Sequence, residues 1–179
     1  RWVEDGNPPI AHSPLFQRSA HAVVFATANG VVELSATGAR VLATGGDSSY
    51  AFDRRVHIDR RGRIWLGDRN GLSLVVDGKI ARVAGVDSIV RTIASNPRDS
   101  DDVIWVGAGR TLFRLRVDRP RGAMPVAERV LTSTAAPISL AFSGDGVMVL
   151  GTLGRGLFTL RANVTRVENI PTRQANPDA

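Results

Sequence analysis

The side chains able to do chemistry are few and scattered in this sequence. Its three histidines, His12, His21 and His57, share no ligand spacing such as i, i+4, and read as surface or strand-edge residues. There is no cysteine, which removes a thiolate nucleophile, a disulfide framework and any zinc site built on sulfur. Gly107-Ala108-Gly109-Arg110-Thr111-Leu112 lacks the third glycine and the following helix that would cradle a phosphate. Gly151, Gly154 and Gly156 fail for the same reason, so both segments read as hairpins. No Gly-x-Ser-x-Gly elbow supplies a hydrolase nucleophile. Asp99, Asp101 and Asp102 carry oxygens that calcium could use, but without EF-hand order, and Asn96-Pro97-Arg98-Asp99 favours a plain turn. No catalytic residue, metal or cofactor follows from these residues.

What remains is recognition. The segments richest in polar and aromatic groups are Gly46–Arg55 and Asp87–Arg91. Tyr50, Arg54, Arg55 and Arg91 are the expected ligand-binding residues, because planar guanidinium donors suit carboxylates and sugars. The competing reading pairs Arg54 with Asp53 and Arg91 with Asp87 as ordinary structural contacts.

The surrounding composition narrows the partners. In 179 residues, 23 Lys and Arg against 17 Asp and Glu give a net charge of +6, and 43% of the residues are hydrophobic. A core is affordable at that length, and disorder is not indicated. Arg54, Arg55, Arg60, Arg61, Arg63 and Arg69 cluster, as do Arg110, Arg114, Arg116, Arg119 and Arg121. Both groups are interleaved with Asp53, Asp59, Asp68 and Asp118, and rings for base stacking are scarce, so they read as solvated strand edges and turns. Nucleic acid is not an expected partner. No apolar run of 18 residues exists to span a membrane as a helix. The sequence opens on Arg1 with neither methionine nor a signal-peptide pattern, as a fragment or processed product would.

Self-similarity decides the fold class. Four segments share an apolar stretch, a small residue, a short turn and a second apolar stretch: 23–32, 64–74, 104–113 and 148–158. Their small residues, Ala26, Gly67, Gly107 and Gly151, are spaced by 41, 40 and 44 residues. Leaders such as Val56-His57-Ile58-Asp59 and Ile138-Ser139-Leu140-Ala141 alternate apolar and polar residues and then turn, as strands do. Helix signals are nearly absent. Three or four short strands per period of about 40 residues is the signature of a β-propeller blade. Gly30, Gly71 and Gly156 are placed where tight hairpins want positive φ. Gly67, Gly107 and Gly151 fall where sheets pack closely, and Trp65 and Trp105 read as wedges between neighbouring blades.

Asp59-Arg60-Arg61-Gly62-Arg63-Ile64-Trp65-Leu66-Gly67-Asp68-Arg69-Asn70-Gly71-Leu72 resembles the blade of the two-component regulator propeller family, D-x-x-G-x-[IL]-W-[IL]-G-T-x-x-G-L. Leu150-Gly151-Thr152 with Gly156-Leu157 matches its core, and Ala26-Thr27 with Gly30-Val31 matches more loosely. Departures are Asp68 for the usual Thr, Val24 and Val149 for Trp, and Thr111 for the hairpin glycine. Residues 93–107 are also similar to repeats of sortilin-type and glycosidase-type propellers, and Ser143-Gly144-Asp145-Gly146 faintly echoes the aspartate box of sialidase-like ones.

The expectation is an all-β propeller of about four blades, possible as part of a larger ring. An N-terminal segment, 1–19, open to reading as a strand of a neighbouring blade, precedes blades at 20–55, 56–89, 90–135 and 136–170 and a tail at 171–179. The resemblance implies a non-catalytic sensor, the periplasmic or extracytoplasmic part of a bacterial two-component or cyclic-nucleotide signalling protein. Its partner would be a small molecule, a glycan or a protein at the propeller rim. Self-association to complete the ring stays open, as do a carbohydrate-active propeller enzyme of glycosidase or lyase type and an assembly scaffold.

Overall fold

A computed structural model describes residues 15–45, 55–98, 102–117, 123–161 and 167–170. Among these residues sixteen strands form four antiparallel sets of four, each in simple meander order. Sheet one holds β1 (Phe16–Ser19), β2 (Ala22–Thr27), β3 (Gly30–Ser35) and β4 (Gly38–Thr44). Sheet two holds β5 (Arg55–Ile58), β6 (Ile64–Asp68), β7 (Gly71–Val76) and β8 (Lys79–Arg82). Sheet three holds β9 (Val90–Ser95), β10 (Val103–Ala108), β11 (Thr111–Arg116) and β12 (Val126–Thr132). Sheet four holds β13 (Pro137–Phe142), β14 (Val147–Thr152), β15 (Gly156–Arg161) and β16 (Val167–Ile170). Phe16–Ser19, inside the segment set apart as N-terminal, pairs with β2 and so is the first strand of sheet one. One parallel bridge, Thr44 to Lys79, ties the outer strands of sheets one and two.

The first strands of successive sheets adjoin one another, β1 beside β5, β5 beside β9 and β9 beside β13. The sheets therefore stack around a common inner line, and the core lies between them in three clusters. Val24, Ala26 and Val31 meet Val56, Ile64 and Leu66 between sheets one and two. Trp65, Leu72 and Leu74 meet Val90, Ile104 and Val106 between sheets two and three. Trp105 and Leu112 meet Met148 and Leu160 between sheets three and four. Trp65 and Trp105 each span a seam between sheets, where their large apolar area is removed from water.

Small residues set how closely the sheets approach. A methyl group on Gly67 would sit 2.7 Å from Cβ of Val90, on the next sheet's first strand. One on Gly107 would sit 2.9 Å from Cβ of Pro137, again on the next sheet. At Gly151 the neighbours are Ser139 and Leu157, both of its own sheet. Gly30 departs from the expected positive φ; glycine is needed there because the Ala43 carbonyl lies against its missing Cβ.

The turns between first and second strands carry the polar order. Buried Asp59 accepts the backbone N–H groups of Arg61 and Arg63, both at 3.0 Å, on Oδ1. Its Oδ2 accepts Nε of Arg63 at 2.6 Å and the indole N–H of Trp65 at 2.9 Å. Asn96 and Ser143 occupy the same position in sheets three and four, accepting N–H groups of Arg98 and Val147. Asn96 does not reach Trp105, whose buried indole N–H has no hydrogen-bond partner.

His57 lies at the seam of sheets two and three, its Nε2 3.1 Å from Oγ of Ser95. Burial holds its pKa below the ordinary 6.5, with Asp59 pulling the other way. The unfolded chain thus takes up a proton near that pH which the folded chain resists. Stability is fully present above pH 6.5 and falls as the pH drops below it. Urea midpoints should fall between about pH 7.5 and about pH 5, and His57→Gln should flatten part of that fall. An unchanged slope in the variant would contradict this.

Candidate functional site

Strand direction sorts the loops into two ends. The first strands begin, and the hairpins from second to third strand lie, at one end, shown by the pairs Arg55 with Gly67, Val90 with Ala108 and Pro137 with Thr152. This hairpin end collects arginines. Arg55 starts β5, and Arg91 follows the first residue of β9. Arg69, Arg110 and Arg155 sit on the exposed hairpins of sheets two, three and four.

Arg55 and Arg91 are brought together: Nε of Arg55 donates to the backbone carbonyl of Arg91 at 3.3 Å. Arg91 is the residue skipped in the register between Val90 and Thr92, a bulge that re-aims its side chain out of the regular pleat. Its Nε is buried without a hydrogen-bond partner. It forms no ion pair with Asp87, which is exposed, so the structural pairing weighed from sequence is not made there. Tyr50 and Arg54 lie outside the described residues, as does Asp53.

Acids do not balance this end. Among its described residues the carboxylates are Asp68 and Asp87. Asp68 stands where the resembled pattern has Thr, and Thr27 and Thr152 show what that Thr does: each hydroxyl donates to its hairpin glycine's carbonyl, Gly30 and Gly156. Asp68 instead accepts the N–H groups of Asn70 and Gly71 and takes Nη1 of Arg82 at 3.2 Å. It is thus already neutralised, leaving guanidinium groups as the excess charge.

The opposite end differs. There Arg61 and Arg63 contact the Asp102 carboxylate as ion pairs, although neither guanidinium is aligned for a hydrogen bond to its Oδ2. Arg63 also holds Asp59. These four charges meet one another, and the Asp102 pairs cross the seam between sheets two and three. Asp102, weighed for calcium, faces these two cations, while Asp99 and Asp101 lie outside the described residues. No group of three acids or histidines able to hold a metal occurs among the described residues, and among them there is no helix long and apolar enough to cross a membrane.

The expected blade residues fall at the seams and hairpins. Trp65, Gly67, Trp105 and Gly107 line the faces turned to the next sheet. Gly71 and Gly156 open third strands at φ +132° and +80°. Sequence reasoning missed Arg69, Arg110 and Arg155 as a set. Their signal was present, since each lies two to four residues beyond Gly67, Gly107 or Gly151, but in-line clustering hid it.

Solved structures share this architecture. The extracellular domain of the hybrid two component system BT4673 from B. thetaiotaomicron superposes with a TM-score of 0.67 at 15% identity, over 95% of this chain and 23% of that one. The corresponding domain of BT3049 gives 0.64 at 16% identity, over 89% and 22%. Regucalcin, a calcium-binding protein from Agrobacterium tumefaciens, gives 0.62 at 16% identity, over 88% and 59%. The fold is a β-propeller. Each four-stranded sheet is a blade, and the chain spans about a quarter of the length of the sensor domains it matches. No protein-family model matches the sequence, and neither does any curated protein.

Proposed function

We propose that this chain is a non-catalytic sensing unit, the extracytoplasmic part of a two-component or cyclic-nucleotide signalling protein. Its ligand is an anion, such as a carboxylate-bearing small molecule or sugar, held at the hairpin end of the propeller. The likeness of fold to extracellular domains of two-component systems supports the placement. The observation that carries the ligand chemistry is the juxtaposition of Arg55 and Arg91 at a bulge, with the buried Nε of Arg91 lacking a partner. A buried unpartnered donor costs free energy that a bound carboxylate would recover. Rigid blades with functional groups confined to loop ends suit recognition.

Binding should be sought by calorimetry with galacturonate oligomers and simple dicarboxylates. Arg91→Gln and Arg55→Gln should each weaken binding about tenfold, since a hydrogen bond to a charged group contributes about 1.5–3 kcal/mol. Both variants should keep the parent melting temperature within a few degrees, because neither side chain fills a core position. An affinity unchanged from the parent's in both variants would reject the site. Cleavage of the oligomers would replace this reading with the propeller-enzyme one.

A further inference from the structure

β5 and β9 adjoin across the seam of blades two and three but belong to different sheets, so side chains tie them. Arg55 and His57 share one face of β5, about 7 Å apart along the strand. Their register partners, Gly67 and Trp65, turn that face toward blade three. Nε of Arg55 reaches the Arg91 carbonyl of β9, and Nε2 of His57 lies 3.1 Å from Oγ of Ser95 on the same strand. A titratable ring thus stands in the seam next to the two arginines. That placement is particular to blade two. In blades one, three and four the residues opposite Val24, Trp105 and Val149 are Phe16, Ala94 and Ala141, none of which titrates.

We propose that binding of a carboxylate at Arg55 and Arg91 is coupled to protonation of His57, so that the site holds its ligand more tightly as the pH falls. This rests on the anion-site reading above and adds its regulation. In the free protein burial resists a charge on the ring. The guanidinium groups of Arg55 and Arg91, the latter the one charged residue of β9, oppose it too. A bound carboxylate offsets that positive field, and by reciprocity the proton raises affinity for the carboxylate by the same factor. The Ser95 hydroxyl donates to a neutral ring and accepts from a charged one, so their tie survives either state. Other nearby charges are committed. Asp59, which favours the proton, holds Arg63, and Asp68 of β6 holds Arg82. Asp102 faces Arg61 and Arg63. β1 and β2 pack on the other face of β5, with Val56 and Ile58. β2 carries no charge, and Arg18 of β1 is paired with Glu33.

Calorimetry with galacturonate trimer at about pH 7.5 and about pH 5.5 tests this, since its carboxyl groups stay ionised at both. The parent should bind about fivefold more tightly at the lower pH, the low end for coupled sites. It should also take up protons on binding, read as a heat that changes with the ionisation enthalpy of the buffer. His57→Gln, which keeps a partner for Ser95 but cannot titrate, should bind equally at both pH values and take up none. In the parent itself, the His57 ring followed by proton–carbon spectra should titrate at higher pH with trimer bound than without. Circular dichroism at both pH values checks that each protein is folded. Equal affinity of the parent at both pH values, an unmoved ring titration, or a pH dependence kept by His57→Gln would overturn the coupling and leave the anion site standing. No binding at either pH, or binding indifferent to Arg91→Gln, would remove the site and the coupling with it.

Discussion

Replacing Asp59 by alanine is expected to remove roughly 3–5 kcal/mol of stability, the range for breaking one side of a buried ion pair. The carboxylate is 7% exposed and holds two backbone N–H groups, the Arg63 guanidinium and the Trp65 indole at once. Alanine leaves all four donors without it, and Arg63 already has one buried nitrogen unsatisfied. The indole belongs to the wedge between blades two and three, so the loss spreads from a turn into the largest core cluster. Asp59→Asn keeps an acceptor for the turn but gives up the charge facing Arg63, and should fall between the two. Urea unfolding followed by tryptophan fluorescence measures the difference. A loss under about 1 kcal/mol for Asp59→Ala would mean that the network is worth no more than a surface pair.

The second large effect is expected at Gly71. Its φ of +132° is closed to side chains, and an added methyl group would lie 2.9 Å from the Val86 carbonyl carbon and closer still to its oxygen. The Val86 carbonyl also accepts the Leu72 N–H at 3.2 Å, so it cannot retreat without breaking that bond. Strain and overpacking each cost about 1–3 kcal/mol, and Gly71→Ala should lose roughly 2–5 kcal/mol in all. Gly151→Ala is the internal control. Its obstruction is the hydroxyl of exposed Ser139, which can rotate away, so the expected loss is below about 1 kcal/mol. Equal losses at the two glycines would show that inherent chain flexibility, rather than backbone approach, sets their cost.

The repeat was legible because blade geometry imposes it locally. A wedge, a small residue and a hairpin must recur wherever one sheet packs on the next, so Trp65-Leu66-Gly67 and Trp105-Val106-Gly107 announce their seams. Conformation at single glycines was less legible: Gly30 and Gly71 occupy the same place in their hairpins, yet only Gly71 has positive φ. The candidate site was legible in part. Arg55 and Arg91 were singled out 36 positions apart, and the adjacency of β5 and β9 brings them together. Arg110 and Arg155 were hidden because sequence clustering ranks neighbours along the chain, whereas the propeller ranks them by height along the blade. The role of Asp59 was hidden differently: the pattern D-x-x-G marks a turn, and nothing in it shows that the carboxylate reaches a tryptophan six residues on.

The central claim is that ligand recognition is confined to the hairpin end. A titration of the isotope-labelled chain with galacturonate trimer, followed in proton–nitrogen correlation spectra, tests it most directly. Shifts should appear at the side-chain Nε–H of Arg55 and Arg91 and at the backbone of Gly109 and Gly154, all at that end. Gly62, Gly78 and Gly144, in turns at the opposite end, should hold their positions. Shifts centred on those three glycines, or none at either end by about 5 mM trimer, would contradict the account.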